Sequence, residues 1–205
     1  SMLLNRIIGE DRAIVSPIPG TPRDYVDISI TNQGRDYVFV DTAGVRRRSH
    51  IDDKLEKLSV MRSIHNVEKA HVSLCVMDAT EPLTDQDRNL LGIVMDHGRA
   101  SAVIFNKSDL IDSKQREAIR HKLKHVLRYL PDITILFISA LTGGNVLKLY
   151  PLINTLYDKT ITQVQTAVLN KVLQDATTKM HPPSVKGRHV KLFYINQTGT
   201  APPHF

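Results

Sequence analysis

Long apolar runs are missing from this 205-residue chain. No stretch approaches the roughly 18 consecutive apolar residues of a membrane-crossing helix, which excludes a helical membrane protein. Cysteine is nearly missing as well. The one thiol, Cys75, lies in the apolar run Val72 to Met77. It cannot form an intrachain disulfide, reads as a small buried apolar residue, and makes a reducing compartment, the cytoplasm, the expected location. Glycine and proline are scarce, 10 of each, and beside 41% apolar residues this excludes a collagen-like or largely disordered chain. The nine histidines lack metal-ligand spacing such as HExxH and read as scattered surface residues. The start, Ser1 to Gly9, is too short for a secretory signal and reads as the middle of a helix.

What is present alternates between two periodicities. Tyr25 to Thr31 places Val26, Ile28 and Ile30 on one face, and Asn32-Gln33-Gly34-Arg35 then turns the chain into Tyr37 to Val40, which predicts a β-hairpin. The runs Val72 to Met77, Ala102 to Phe105 and Ile133 to Ile138 predict buried strands. Between them, Leu55-Leu58-Met61-Ile64, Leu90-Leu91-Val94-Met95 and Ile119-Leu123-Val126-Leu127 have helical spacing. Thr84 with Asp87 forms a capping-box signal, and Gly98 a helix-ending glycine. Strands alternating with helices predict an α/β fold with a mostly parallel sheet covered on both faces. Two more helices are expected at about Val146 to Tyr157 and Val164 to Lys179. His181-Pro182-Pro183 then stops helical structure, and a strand through Val190, Leu192 and Tyr194 opens a second, truncated unit. The expected division is 1–160 and 161–205.

In such a sheet the residues just after each parallel strand face the ligand crevice. After Tyr37 to Val40 come Asp41-Thr42-Ala43-Gly44. A carboxylate there suits a magnesium ion held through water, and a glycine backbone N–H can approach a terminal phosphate. After Ala102 to Phe105 come Asn106-Lys107-Ser108-Asp109. The Asp109 carboxylate can accept from the N1–H and 2-amino group of guanine, which adenine lacks, while the Lys107 stem covers the base. After Ile133 to Ile138, Ser139-Ala140-Leu141 offers backbone N–H groups to the guanine O6. Gly20-Thr21-Pro22-Arg23-Asp24 lies in a loop placed to close over phosphates. Asp78 reads first as a strand-end carboxylate capping the next segment, and second as a ligand contact. Positive charge gathers late: +4 of the net +6 lies in residues 161–205. Either an anionic partner, usually nucleic acid, or a solvated surface explains that excess.

The order of these motifs resembles the translation-factor-like GTPases. Gly9 to Val15, Pro19 to Asp24, Asp41 to Arg48, Pro182 to Arg188 and Pro202 to Phe205 narrow the resemblance to the Der (EngA) family of bacterial double-Era-like GTPases, nearly end to end. It implies a P-loop GTPase domain, a three-layer αβα sheet, followed by the start of an α+β KH-like domain. The expected function is a GTP-binding and GTP-hydrolysing switch, monomeric, that acts in assembly of the large ribosomal subunit and touches its RNA through Lys186, Arg188 and Lys191. Implied cofactors are GTP or GDP, Mg2+ and K+.

Two departures accompany the resemblance. The 205 residues contain no G-x-x-x-x-G-K-[ST] phosphate loop. By register from Gly9, Ser1 aligns with that motif's last residue, a metal ligand in the family pattern, although an unrelated serine would read identically. Pro22 stands where the family pattern Gly-Thr-Thr-Arg-Asp has a magnesium-binding threonine, and proline has no hydroxyl. Thr21 is the neighbouring substitute, so Ser1, Thr21 and Asp41 form the implied metal set, with Thr21 and Gly44 at the reacting phosphate. Val45 is apolar, as in this group, and the potassium-holding asparagine would precede Ser1. Arg46 to Arg48 suit RNA contact or a solvated loop equally. Two further readings are a docking module with an impaired nucleotide site and a related Era-like or tRNA-modification GTPase.

Overall fold

The computed structural model describes residues 2–10, 15–17, 27–40, 67–127, 133–180, 182, 184–185, 188–189 and 191–205. Helix α1 (Met2–Glu10) precedes an antiparallel ladder of β1 (Val15–Pro17), β2 (Ile28–Asn32) and β3 (Arg35–Phe39), in that order. The β2–β3 turn is two residues long because Gln33 and Gly34 both take positive φ, 49° and 79°, the twist that matches paired strands. The expected hairpin is therefore present.

A second ladder is wholly parallel. Strands β4 (Val72–Asp78), β5 (Ala100–Asn106) and β6 (Thr134–Phe137) lie in that order, with α2 (Asp85–Asp96) and α3 (Ser113–Val126) as the crossovers. Side chains of β5 are buried on both faces, which is why its sequence is continuously apolar. Val103 and Phe105 join Cys75, Met77, Leu91, Val94, Leu123 and Phe137 beneath α2 and α3. Ala102 and Ile104 face the other way and join Ile7 of α1, Ile30 of the hairpin, and Leu149 and Tyr150 of α4 (Leu149–Ile161). Helices on both sides of the sheet give the three-layer αβα arrangement. Each large side chain so buried contributes about 1.5–3 kcal/mol.

Local signals fix the helix ends. Thr84 and Asp87 form the capping box: the Asp87 N–H donates to Thr84 Oγ1 at 3.2 Å, and the Thr84 N–H to Asp87 Oδ2 at 2.9 Å. Gly98, at φ 62°, closes α2 by donating to the Met95 carbonyl at 2.8 Å. Asp112 and Gln115 make a second reciprocal box on α3.

The later part departs from expectation in two places. Val146–Lys148 is a 3-10 turn and α4 starts at Leu149, because Asn145 takes a left-handed φ of 60° and turns the chain immediately before. Beyond α5 (Thr166–Lys179), the expected strand through Val190, Leu192 and Tyr194 is not formed at its described positions, Leu192 and Tyr194. Val190 lies outside the described residues, and residues 191–194 join no ladder. Alternation needs a neighbouring strand to pair with. Here the chain is held by side chains instead: Asn170 of α5 donates to the Ile195 carbonyl at 2.9 Å and accepts from its N–H at 3.1 Å. Among the described residues of this segment the strands are the two-residue pair β7 (Ser184–Val185) and β8 (Arg188–His189). The expected helix through Leu55 to Ile64 lies outside the described residues.

Candidate nucleotide-binding site

The parallel register puts Asp78 beside Asn106 at the carboxyl ends of β4 and β5, with Ile138 and Ser139 following β6 at the same edge. These ends are knitted together. The Ala79 N–H donates to the Asn106 carbonyl at 2.9 Å, and the Ser108 N–H to the Ile138 carbonyl at 3.0 Å. Across the gap, the Ala140 N–H donates to Asn106 Oδ1 at 2.9 Å. Two motifs 34 residues apart in sequence thus form one wall. Ser139 is buried, its Oγ accepting from the Thr142 N–H at 3.1 Å, and Ser108 is buried with its carbonyl taken by Arg116.

Lys107 takes left-handed backbone angles, φ 62° and ψ 33°, and opens the short 3-10 turn Ser108–Leu110. That reversal leaves Asp109 exposed, with no partner for its carboxylate among the described residues. An unpartnered carboxylate on a rigid turn is a ready double acceptor. The Ala140 N–H is already engaged by Asn106, so of Ser139, Ala140 and Leu141 it is Leu141 whose N–H has no acceptor within the described residues.

One contributor escaped the sequence reading, and another was read only in part. Arg6 of α1 donates to the carbonyls of Ala140 (Nε, 3.0 Å) and Leu141 (Nη2), pinning the loop from 134 residues away. No spacing rule reports such a contact. Asp78, read as a cap, is one: its Oδ1 accepts from the Thr80 N–H at 2.9 Å and the Thr80 hydroxyl at 2.7 Å. Its Oδ2, however, also meets Lys107 Nζ at 2.5 Å. Burial pushes this carboxyl upward, yet the hydrogen bonds from Lys107 and Thr80 and the lysine charge outweigh it and hold the pKa at about 2. Cys75 behaves as expected, its thiol buried and pushed up to about 11 by burial.

A cleft of about 300 Å³ opens beside this wall, lined by Met2, Asn5, Arg6, Gly9, Ala140 and Leu141. A larger polar hollow of about 600 Å³ lies between residues 163–166 and 197–200 and is lined by none of Asn106, Lys107, Asp109, Ser139, Ala140 and Leu141. The phosphate-side residues Ser1, Thr21, Asp41, Thr42, Ala43 and Gly44 lie outside the described residues, as do Pro22 and Lys186. Arg188 falls in β8, and Lys191 is exposed. Among the described residues no group of three or more His, Cys, Asp or Glu side chains could hold a metal ion. None of the described helices is long and apolar enough to cross a membrane.

Comparison with known proteins places this geometry. The family profile described as "50S ribosome-binding GTPase" matches residues 1–107, and that described as "KH-domain-like of EngA bacterial GTPase enzymes, C-terminal" matches residues 163–205. GTPase Der of Acetivibrio thermocellus is 43% identical over 207 residues, covering all of this chain. The chain belongs to the GTPase Der family. Der of Legionella pneumophila (strain Lens) is 42% identical over 99% of the chain. The chain spans just under half the length of these Der relatives, 47% and 44%. Among solved structures, Era in complex with MgGDPNP and nucleotides 1506–1542 of 16S ribosomal RNA superposes with a TM-score of 0.57 and 28% identity, over 75% of this chain and 51% of that one. The fold is that of a P-loop GTPase, with a KH-like region after it.

Proposed function

We propose that the chain is the nucleotide-selecting part of a GTP-hydrolysing switch that acts, as a monomer in the cytoplasm, in assembly of the large ribosomal subunit. Residues 1–160 form the switch and residues 161–205 the start of the RNA-binding unit. The observation that carries this reading is the exposed Asp109 carboxylate, without a partner among the described residues, beside a wall in which Asn106 clasps the Ala140 N–H. Asp109 accepts from the guanine N1–H and 2-amino group, the Lys107 stem covers the ring, and the Leu141 N–H faces O6. Gly44 and Thr21 serve the γ-phosphate, where water attacks in line. Bound Mg2+, held through Ser1, Thr21 and Asp41, would supply charge neutralisation at the phosphates, and K+ a further positive charge. The ribosomal part rests on the profile descriptions and on the local excess of positive charge.

The test uses a polypeptide that supplies a phosphate loop ahead of this chain. It should hydrolyse GTP and not ATP, and co-sediment with large ribosomal subunits in the GTP state. Association with the subunit that is indifferent to nucleotide, with no hydrolysis, would replace this reading by the docking-module one that Pro22 favours.

A further inference from the structure

The Asp78–Lys107 contact does more than a strand-end cap requires. Capping uses only Oδ1, which takes both Thr80 donors; Oδ2 is left for the Lys107 ammonium. The Asp78 side chain is 4% exposed, whereas the Lys107 side chain is 49% exposed. The lysine is therefore held by its charged end on a buried carboxylate, while about half of its side chain stays exposed. A free lysine does the opposite and keeps its head in water. Its backbone is also unusual, since a left-handed conformation is disfavoured for a side chain of this size. The parallel register that sets Asp78 opposite Asn106 brings the buried carboxylate within reach of the next residue.

Lys107 stands between two carboxylates. Two positions further on, Asp109 is exposed and has no partner among the described residues. An unheld ammonium would find Asp109 as a nearby opposite charge. A carboxylate occupied by lysine is a poorer acceptor for the guanine edge, because its lone pairs are already engaged.

We propose that Asp78 is a positioning residue for guanine selection: by sequestering the Lys107 ammonium it keeps Asp109 an open double acceptor and lays the lysine stem across the base. This rests on the guanine-nucleotide reading above. The ligand class it governs is a purine nucleotide carrying a 2-amino group, as against the inosine analogue that lacks it.

Asp78→Asn separates charge from cap, since the amide Oδ1 still accepts from Thr80. In a polypeptide with the phosphate loop supplied, affinities for GDP, IDP and ADP are measured by calorimetry for wild type, Asp78→Asn, Lys107→Met and the double variant. Asp78→Asn should weaken GDP by about tenfold and IDP by less, so that the GDP:IDP preference shrinks about threefold or more. The double variant removes the freed ammonium and keeps an apolar stem, so its GDP:IDP preference should return to within about twofold of wild type. A merely structural role would lower both affinities together and show no recovery. If Asp78→Asn alone does not fold, the double variant against Lys107→Met carries the test, and a double variant that loses the preference overturns the proposal. Wild-type GDP:IDP preference in Asp78→Asn overturns it as well. Equal wild-type affinity for GDP and ADP would instead sink the guanine reading itself.

Discussion

The carboxyl ends of β4, β5 and β6 bury polar side chains and satisfy them, whereas the segment after α4 leaves apolar side chains in water. At the first place the Asp78 carboxylate and the Ser139 hydroxyl are buried and bonded, and buried Ser108 is held through its backbone N–H and carbonyl. At the second, α5 has no buried residue, and Val168, Val172, Met180, Leu192 and Phe193 are exposed. That segment meets the parallel-sheet unit through polar clasps. The Ala201 N–H donates to the Thr160 carbonyl at 3.0 Å, and Arg99 spans the Ala201 carbonyl (2.9 Å) and the Glu68 carbonyl (2.6 Å). Buried polar networks fix geometry when fully satisfied, and apolar packing supplies most of the stabilisation. The strand-end edge has both beneath it, and α5 has little of the second.

The contrast can be broken first through the core. Phe105, 2% exposed and stacked on Phe137 at 5.3 Å, supports β5 from directly beneath the site. Phe105→Ala should cost about 3–5 kcal/mol in denaturant unfolding, while Val172→Ala on α5 should fall within about 0.5 kcal/mol. Comparable losses at the two positions would show that α5 carries core packing of its own.

Next in size is the base edge. Asp109→Asn, in a polypeptide with the phosphate loop supplied, should weaken GDP by about 100-fold and admit xanthine nucleotides, because an amide donates to the carbonyl that replaces the 2-amino group. Unchanged GDP affinity in a titration would remove Asp109 from the site.

A third break is acid. The Asp78 carboxyl sits at about 2, below its ordinary 3.8. A depressed carboxyl stabilises the fold fully above 3.8 and loses that contribution as pH falls towards 2. The amount is about 2 kcal/mol. Asp78→Asn should therefore be less stable than wild type at neutral pH and lose less on acidification, read from unfolding curves across that window.

The smallest effects concern the switch loop and the basic segment. Pro22→Thr should raise magnesium affinity or GTP turnover by about 1 kcal/mol in a magnesium titration; no change means that Thr21 already serves. Removing Lys186, Arg188 or Lys191 should each lower the log–log salt slope of RNA binding by about 1 if that residue touches a phosphate.

The same contrast governs what the sequence makes legible. Parallel strands buried on both faces read as short β-branched runs, so the edge bearing Asn106, Asp109 and Ser139 follows from where each run stops. Thr84–Asp87 and Gln33–Gly34 are equally readable, since caps and tight turns are decided within four residues. What stayed hidden depends on register or distance. The Asp78–Lys107 pair appears only once β4 is laid beside β5, and the Arg6 clasp on Ala140 and Leu141 joins residues 134 and 135 positions apart. Past Pro182 the alternation misleads, because period-two hydrophobicity predicts a strand only where another strand offers a ladder.

The central claim, that this edge selects guanine, is tested most directly by competition between GDP and ADP for the polypeptide with its phosphate loop supplied. A preference for GDP of about 100-fold or more, abolished by Asp109→Asn, is the predicted result. Equal displacement by the two nucleotides, or a preference that survives Asp109→Asn, would contradict it.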